Sequence, residues 1–429
     1  MGNIRIVGLG PSDGSDLTAK AIEAISDDSE KFLRTDRHDT VSYFRARSIP
    51  YTSYDYLYET MDDFDAIYRA IADDLLEKSK TRRISYFVPG HPMIAEKTVT
   101  YLLAADPEIE IVDGLSFLEP VLRLVGRDPV KGLKVVDGDD FSDLDLDVHT
   151  DTILTQVYNR RIVSEVKLAL ANLYGDTHEV YVLSHAGNPK KEFVERRPVY
   201  TLDRYDDYGH ETSLYVPCTD RVNALRDLIE LVRTLRGPEG CPWDRKQTHK
   251  TMKANLLEEA YEAAYAVECD DYAALEEELG DVLFQVVFHA ELAASEGDFT
   301  LSDSIQRVVE KLVDRHPHVF GGEKCDWEDK KAEETGNYLL SQQLRHLVGL
   351  PALMRGQKIA RRMKDTDFLA ECIDQTDVDD ESTELGLSLL RTVIAAEEKG
   401  IDAESALAEV LSKLTERVAA REGEGKNNL

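Results

Sequence analysis

Strand-like and helix-like segments alternate over the first half of the chain. Short apolar runs typical of β-strands are "NIRIVGLG", "RISYFVPG", "IEIVDG", "TILTQVY" and "EVYVLSHAG". Between them lie segments with the apolar spacing of helices: "FDAIYRAIADDLLEKSK", "IAEKTVTYLLAA", "FLEPVLRLVG" and "IVSEVKLALANLYG". Two further strands, "RRPVYTLDRY" and "TSLYVP", are expected to close the region. The alternation predicts an α/β domain over residues 1–216, with an open sheet in two lobes.

The pattern changes at "VPCTD", after which nearly every segment has helical spacing. The first of these segments are "VNALRDLIELVRTLR", "LLEEAYEAAYAVECDDYAALEEELGDVLFQVVFHAEL" and "LSDSIQRVVEKLVDRH". Residues 220–335 are therefore predicted to form an all-α domain. A second linker is expected near Gly336, and residues 336–429 are predicted to be a helical extension.

Carboxylates interrupt the apolar face of two adjacent helical segments in the middle of the chain. Glu259 and Glu262 are three residues apart, as are Glu278 and Asp281, so each pair shares one helix face. The link "CDDYAAL" allows the two helices to fold back as an antiparallel hairpin. All four acids are then expected to converge among apolar neighbours.

Such a cluster is costly unless a cation compensates it. Two like charges 4 Å apart repel by about 4 kcal/mol at an effective dielectric constant near 20. Mg²⁺ prefers oxygen ligands and leaves positions for water and phosphate oxygens. Di-iron bundles usually require Glu-x-x-His pairs, whereas both pairs here are acidic. The alternative is a solvated charged face, which would suffice for "EEELG" alone; the full spacing with its apolar flanks favours a metal site.

Cations and aromatic residues follow the acids along the chain. Lys311 and Arg315 are four residues apart on one predicted helix, and "WEDKKAEE" adds Trp327 and Lys331. Lysine and arginine are natural partners of a polyphosphate. A tryptophan can stack on a base, although a place in the core is the more common use of a single tryptophan.

The helical extension repeats part of the acidic domain. "ELGLSLLRTV" (384–393) resembles "ELGDVLFQVV" (278–287), and "KLTER" (413–417) resembles "KLVDR" (311–315). Leu387 stands where the first copy has Asp281, and no EExxE precedes it. The extension is interpreted as a degenerate repeat that can pack but cannot bind metal; chance similarity of two amphipathic helices is the alternative.

Composition narrows the classes of partner. The formal net charge is −32 and the pI is about 4.7, so no basic footprint for stable nucleic-acid binding exists. A phosphate ligand must be held by local cations or a metal. The five cysteines form no CxxC pair, which argues against a disulfide framework or zinc site. No apolar run could span a bilayer and no signal peptide is evident, so we expect no membrane association and a cytoplasmic location.

The motifs "GPEGCPWDRKQTH", "LLEEAYE", "ELGDVLFQVVFHA" and "KLVDRHPHVFGG" closely resemble the MazG-type nucleoside triphosphate pyrophosphohydrolases. The resemblance covers about residues 220–335. It implies an all-α, usually dimeric fold and Mg²⁺-dependent hydrolysis of nucleoside triphosphates to monophosphates and pyrophosphate. By the same resemblance, the metal ligands are Glu259, Glu262, Glu278 and Asp281, Glu258 orients the attacking water, and the nucleotide is bound by Lys311, Arg315, Trp327 and Lys331.

Five loops follow predicted strands in the amino-terminal domain: "GLGPSD", "VPGHPMI", "DGLSF", "QVYN" and "SHAG". In open α/β sheets, the carboxyl ends of the strands form the ligand crevice. The Rossmann fingerprint fails because Asp13 stands in place of the third glycine, and no GK[ST] follows to complete a P-loop. The loops predict a cleft without identifying its ligand.

The order of these motifs resembles the tetrapyrrole (corrin/porphyrin) methylases over about residues 1–216. The resemblance implies a two-lobed dimeric fold that binds S-adenosylmethionine. The implied cofactor site comprises Gly90, His91, Met93, Ile94, Ser116, Phe117, Val157 and Gly187. "PGHP" departs from the Gly-Asp-Pro of many members, because His91 replaces the acid.

The two-domain order resembles the YabN-type fusions of a methylase and a MazG domain. Pyrophosphohydrolysis with a methylase-like partner domain is the favoured function. Two alternatives remain: methyl transfer to a tetrapyrrole-like acceptor with a regulatory helical domain, and a non-enzymatic dimeric scaffold.

Overall fold

The fold is described from a computed structural model of the chain. It describes residues 4–61, 63–106, 108–321, 340–345, 347, 349–364, 368–377 and 380–426. Contacts divide the chain into two units, Met1–Phe288 and His289–Leu429.

The first lobe is built on a parallel sheet. Its strands are β1 (Ile4–Gly8), β2 (Glu30–Leu33), β3 (Thr52–Ser53), β4 (Ile84–Val88) and β5 (Glu110–Val112), in the order β3-β2-β4-β1-β5. The helices are α1 (Ala19–Ser26), α2 (Val41–Ala46), α3 (Asp55–Thr60), α4 (Phe64–Ser79), α5 (Lys97–Ala105) and α6 (Leu118–Val125). Every residue of β4 is buried, as expected for a central parallel strand covered on both faces. Ile6, Tyr86 and Phe44 lie in the core.

The second lobe has a mixed sheet. Its strands are β6 (Leu133–Asp137), β7 (Asp151–Thr155), β8 (Glu179–Ser184), β9 (Phe193–Pro198) and β10 (Thr212–Val216), in the order β6-β7-β10-β8-β9. β6 and β7 are parallel, and the other pairs are antiparallel. α7 (Arg160–Tyr174) packs its apolar face on this sheet. The predicted two-lobed α/β fold is confirmed.

Three details of the sequence interpretation were wrong or incomplete. The strand expected over "RRPVYTLDRY" ends at Pro198 and continues as a 3₁₀ helix, Val199–Arg204, since proline fixes φ and lacks the donor a ladder requires. The helix expected from "IAEK" onward begins only at Lys97. Strands β2, β3 and β6 were not predicted, because charged residues interrupt β2 and β6 and β3 has only two residues.

Four long helices follow along the chain: α8 (Leu225–Arg236), α9 (His249–Glu268), α10 (Tyr272–Glu296) and α11 (Leu301–Arg315). The acidic motifs lie on α9 and α10. Thr248 caps α9 by accepting from the Thr251 N–H. Between α9 and α10, Asp270 adopts a left-handed φ of 53° and Asp271 accepts from the Ala274 N–H. The short link predicted from the sequence is therefore a capped turn. No described helix is long and apolar enough to cross a membrane.

The carboxyl-terminal extension is helical, as predicted. Its helices are α12 (Leu340–Arg345), α13 (Ala352–Met363), α14 (Phe368–Asp374), α15 (Glu381–Glu398) and α16 (Ala403–Lys426). Buried Gln357 on α13 donates to the Ile401 carbonyl and accepts from the Ala403 N–H, and Arg361 pairs with Glu397 of α15. These bonds join α13 to α15 and to the start of α16.

Candidate functional site

Three of the four predicted acids converge between α9 and α10. One carboxylate oxygen from each of Glu259, Glu262 and Glu278 lies within 4.8 Å of the others. Glu259 and Glu278 are half-buried, whereas Glu262 is exposed. Asp281 lies one turn beyond Glu278 and is exposed; it does not belong to this closest group. The spacing of three residues on each helix therefore places carboxylates at one point of the hairpin.

The carboxylates raise one another's pKa values. Burial raises the pKa of Glu259, and the charges of Asp281, Glu262, Glu278 and Glu258 raise it further. Burial also raises the pKa of Glu278, with contributions from Glu262, Glu277 and Asp281. Asp281 thus acts electrostatically on both helices even though it lies outside the closest group. Among the described residues, no hydrogen bond or ion pair neutralises the three converging carboxylates.

An all-oxygen, acidic donor set fits a hard divalent cation such as Mg²⁺. Such an ion takes oxygen ligands and commonly retains several waters. Two half-buried carboxylates and one exposed carboxylate leave an open side on which water or phosphate oxygens can complete the coordination. The arrangement can therefore hold an ion that also contacts a polyphosphate.

The other residues that the sequence predicted for catalysis or nucleotide binding lie on the following elements. Glu258 precedes Glu259 on α9 and is exposed. Lys311 and Arg315 lie on α11, four residues apart on one face, and both are half-buried. Trp327 and Lys331 lie outside the described residues.

Metal-free stability should depend on pH through Glu259. Its pKa in the folded protein lies above its usual 4.5, so the folded state holds its proton more tightly than the unfolded chain does. The stability that this group contributes is full at low pH and is lost as pH rises through the raised pKa. We expect the unfolding free energy of the metal-free protein, measured against Glu259→Gln, to fall between about pH 4.5 and neutrality.

Urea denaturation of chelator-treated samples measures the difference in unfolding free energy between the wild type and Glu259→Gln at each pH. Adding Mg²⁺ should abolish the decline, because the ion compensates the ionised cluster. A difference that is flat with pH, or that grows toward neutrality without metal, would contradict the placement of Glu259 among uncompensated acids.

A second candidate site is a cavity of about 190 Å³ between the two lobes of the amino-terminal region. Four of the eight predicted cofactor residues line it: Gly90, His91, Ile94 and Phe117. The other four do not line it. Met93 is 58% exposed, buried Ser116 donates to Glu119, Val157 packs in the core of the second lobe, and Gly187 lies against Pro11 and Pro120.

Glycines bring three strand ends together beside this cavity. A Cβ on Gly8 would lie 2.5 Å from the Gly90 oxygen, and one on Gly114 would lie 2.4 Å from the same atom. Gly10 and Gly90 form a backbone bridge. The backbone can approach this closely only without side chains, so these glycines shape the end of the cleft.

His91 is oriented by its own loop. Its Nδ1 accepts from the Met93 N–H at 3.1 Å, so the ring proton of the neutral form lies on Nε2, which is 3.4 Å from an Asp113 oxygen. Where many tetrapyrrole methylases have an acid at this position, this chain therefore presents a hydrogen-bond donor.

Polar lining residues were missed in the sequence. Those of the first lobe are Arg34, His38 and Glu96, and those of the second are Gln156, His185, His210 and Glu211. Burial lowers the pKa of His38 to about 4, so this histidine is neutral at physiological pH. A charged residue directly after an apolar strand, as Arg34 after β2, is the signal that could have found the first group.

Family models match two separate parts of the chain. Tetrapyrrole (Corrin/Porphyrin) Methylases match residues 3–203, and the MazG nucleotide pyrophosphohydrolase domain matches residues 247–320. The chain therefore joins a tetrapyrrole methylase domain to a MazG nucleotide pyrophosphohydrolase domain.

A relative shares both parts. The YabN protein of Bacillus subtilis is 36% identical over 350 residues, covering 78% of this chain and 71% of that protein. The chain belongs to the YabN-like family of methylase–MazG fusions, as its motifs indicated.

Further similarities are partial. A Thermotoga maritima protein named nucleoside triphosphate pyrophosphohydrolase/pyrophosphatase MazG is 38% identical over 44% of this chain and 82% of its own length. The Escherichia coli nucleoside triphosphate pyrophosphohydrolase is 40% identical over 34% of this chain and 60% of its own length. A solved diphthine synthase aligns with 50% of this chain and 89% of that chain at a TM-score of 0.39 and 18% identity.

Proposed function

We propose that this protein is a Mg²⁺-dependent nucleoside triphosphate pyrophosphohydrolase that converts a triphosphate and water to a monophosphate and pyrophosphate. The convergence of Glu259, Glu262 and Glu278 carries the proposal, because uncompensated carboxylates at this distance suit a divalent ion. The names of the MazG relatives support the reaction class.

Each residue then has a part in the reaction. Glu259, Glu262, Glu278 and Asp281 would hold a divalent ion, which would supply neutralisation of phosphate charge and a lowered pKa for water. Glu258 orients the water toward the α-phosphorus. The water oxygen bonds to that phosphorus and its proton is released to solvent. The bond from the phosphorus to the oxygen bridging to the β-phosphate breaks, and pyrophosphate leaves with that oxygen. Lys311 and Arg315 are proposed to neutralise phosphate oxygens, and Trp327 and Lys331 to contact the nucleotide.

Product analysis tests this reaction. The purified chain is incubated with each common nucleoside triphosphate and Mg²⁺, and the products are separated by ion-exchange chromatography. We expect monophosphate and pyrophosphate in equal amounts, and no turnover in chelator. Diphosphate with orthophosphate would contradict attack at the α-phosphorus.

The amino-terminal domain contains a candidate S-adenosylmethionine site. The cavity between its lobes favours this function, since Gly90, His91, Ile94 and Phe117 meet there. Methyl transfer to a tetrapyrrole-like acceptor would make it a second activity. Calorimetric titration with S-adenosylmethionine tests the site. Absence of binding heat at millimolar ligand would contradict the proposed cofactor site. A purely structural scaffold would show no binding in this titration and no turnover in the product analysis.

A homodimer is proposed as the working form. Apolar side chains of α9 and α10 remain exposed in the single chain, among them Leu257, Tyr261, Leu279 and Leu283. A net charge of −32 disfavours nucleic acid as the partner that covers them. Light scattering should return twice the mass of 48.4 kDa; a monomer at micromolar concentration would contradict the proposal.

A further inference from the structure

A buried ion pair lies in the wall of the cavity between the lobes. Arg34 follows β2, and Glu96 precedes α5. The Arg34 Nη1 donates to the Glu96 Oε1 at 2.6 Å, and the Glu96 side chain is 3% exposed. Both residues line the cavity. A carboxylate so deeply buried is expected to use both of its oxygens.

The protein satisfies only part of the hydrogen-bonding capacity of this pair. The Glu96 Oε2 is buried and has no hydrogen-bond partner among the described residues. The Arg34 Nε donates to the Tyr58 hydroxyl at 3.3 Å, and in the described part of the chain Nη2 makes no hydrogen bond. Burial raises the pKa of Glu96 despite the guanidinium beside it, so Arg34 alone does not compensate the lost hydration. The Glu96 carboxylate therefore lacks one donor, and the Arg34 Nη2 remains able to donate.

We infer that Arg34 and Glu96 form the subsite for a zwitterionic α-amino-acid group. Glu96 Oε2 accepts from the α-ammonium, and the Arg34 guanidinium donates to the α-carboxylate. An α-amino-acid end presents both charges within a few ångströms, and charge-assisted bonds are the strongest that such a buried pair can form. A sulfonium or an apolar group could not satisfy the free oxygen, because neither has an N–H or O–H donor.

This inference rests on the proposed cofactor, because S-adenosylmethionine ends in an α-amino acid. The inference adds the two residues that would bind the α-amino-acid group. Neither residue was among those that the methylase resemblance implied. Glu96 also departs from the expected helix: its backbone, with φ −122° and ψ 85°, is not helical and directly precedes α5.

Two ligands that differ only at the amino-acid end test the subsite. S-adenosylhomocysteine carries the zwitterion, whereas methylthioadenosine keeps the adenosine and thioether without it. By calorimetry, we expect the wild type to bind S-adenosylhomocysteine at least about tenfold more tightly, the effect of one charge-assisted hydrogen bond. In Glu96→Gln most of this ratio should vanish while methylthioadenosine affinity is kept.

Glu211→Gln is the matched control. Glu211 lines the same cavity but is about half exposed and already paired with His185, so its variant should keep the wild-type ratio. Decarboxylated S-adenosylhomocysteine distinguishes the proposed contact of Glu96 from that of Arg34, because it keeps the amine and lacks the carboxylate. Glu96→Gln should still lower the affinity for this ligand.

Each outcome decides between distinct failures. A Glu96→Gln protein that keeps the wild-type ratio, or that weakens both ligands equally, overturns the subsite and leaves the cofactor proposal standing. A wild type that binds both ligands equally also overturns it, and this comparison does not require the variant to fold. A wild type that binds neither ligand overturns the cofactor proposal together with the subsite.

Discussion

Glu262→Ala should lower the turnover of nucleoside triphosphates at least about 1,000-fold, equivalent to roughly 4 kcal/mol of transition-state stabilisation. Glu262 is the most exposed of the three converging carboxylates, so its removal leaves no cavity. It also relieves repulsion with Glu259 and Glu278. The unfolding free energy should therefore stay unchanged or rise by about 0.2–0.5 kcal/mol. Loss of function with retained stability distinguishes a site residue from a structural one.

The carboxyl-terminal extension offers a control from the same chain. Glu384 occupies in "ELGLSLLRTV" the place that Glu278 occupies in "ELGDVLFQVV", and it is exposed on α15. Glu384→Ala should leave turnover unaltered, whereas Glu278→Ala should abolish it. Steady-state kinetics and urea denaturation of all three variants check both readouts. Substantial activity in Glu262→Ala would refute its assignment as a ligand.

Gly8→Ala should lower the stability of the amino-terminal domain by about 3 kcal/mol, near the upper end for overpacking. The added Cβ would lie 2.5 Å from the Gly90 oxygen and 2.7 Å from the Gly114 nitrogen. These are backbone atoms at the ends of neighbouring strands, so no side chain can rotate away. At a few degrees per kcal/mol for a domain of this size, the melting temperature should fall by about 6–12 °C.

Gly209→Ala is the control for this prediction. No atom lies within 4 Å of the Cβ it would add, and the change should stay within about 0.5 kcal/mol. Calorimetric melting of both variants measures the contrast. Equal melting temperatures would mean that the three strand ends do not approach as closely as described.

The acidic hairpin could be predicted because its information is local. Three-residue spacing on a helix fixes which acids share a face, and a short polar link fixes the antiparallel return. Asp281 shows the limit of this reasoning. Spacing places it on the correct face, but only the packing of the two helices determines that Glu278 reaches the closest group and Asp281 does not.

The cavity between the lobes was less accessible to sequence reasoning. Arg34 and Glu96 are 62 residues apart and meet only because β2 and β4 are neighbours in the sheet. Val157 was predicted for the cavity, but Gln156 before it adopts a left-handed φ of 57°. The chain turns there, so Gln156 lines the cavity and Val157 packs into the core. Such backbone reversals have no periodic signature.

Manganese binding followed by electron paramagnetic resonance tests the central claim most directly, since Mn²⁺ substitutes for Mg²⁺ at oxygen sites and its free form is visible. Titrating the wild type should reveal a bound fraction that saturates and that Mg²⁺ displaces. Glu262→Ala and Glu278→Ala should lose this fraction, and Glu384→Ala should keep it. Equal binding by all four proteins, or none by the wild type, would contradict a metal centre at the acidic hairpin.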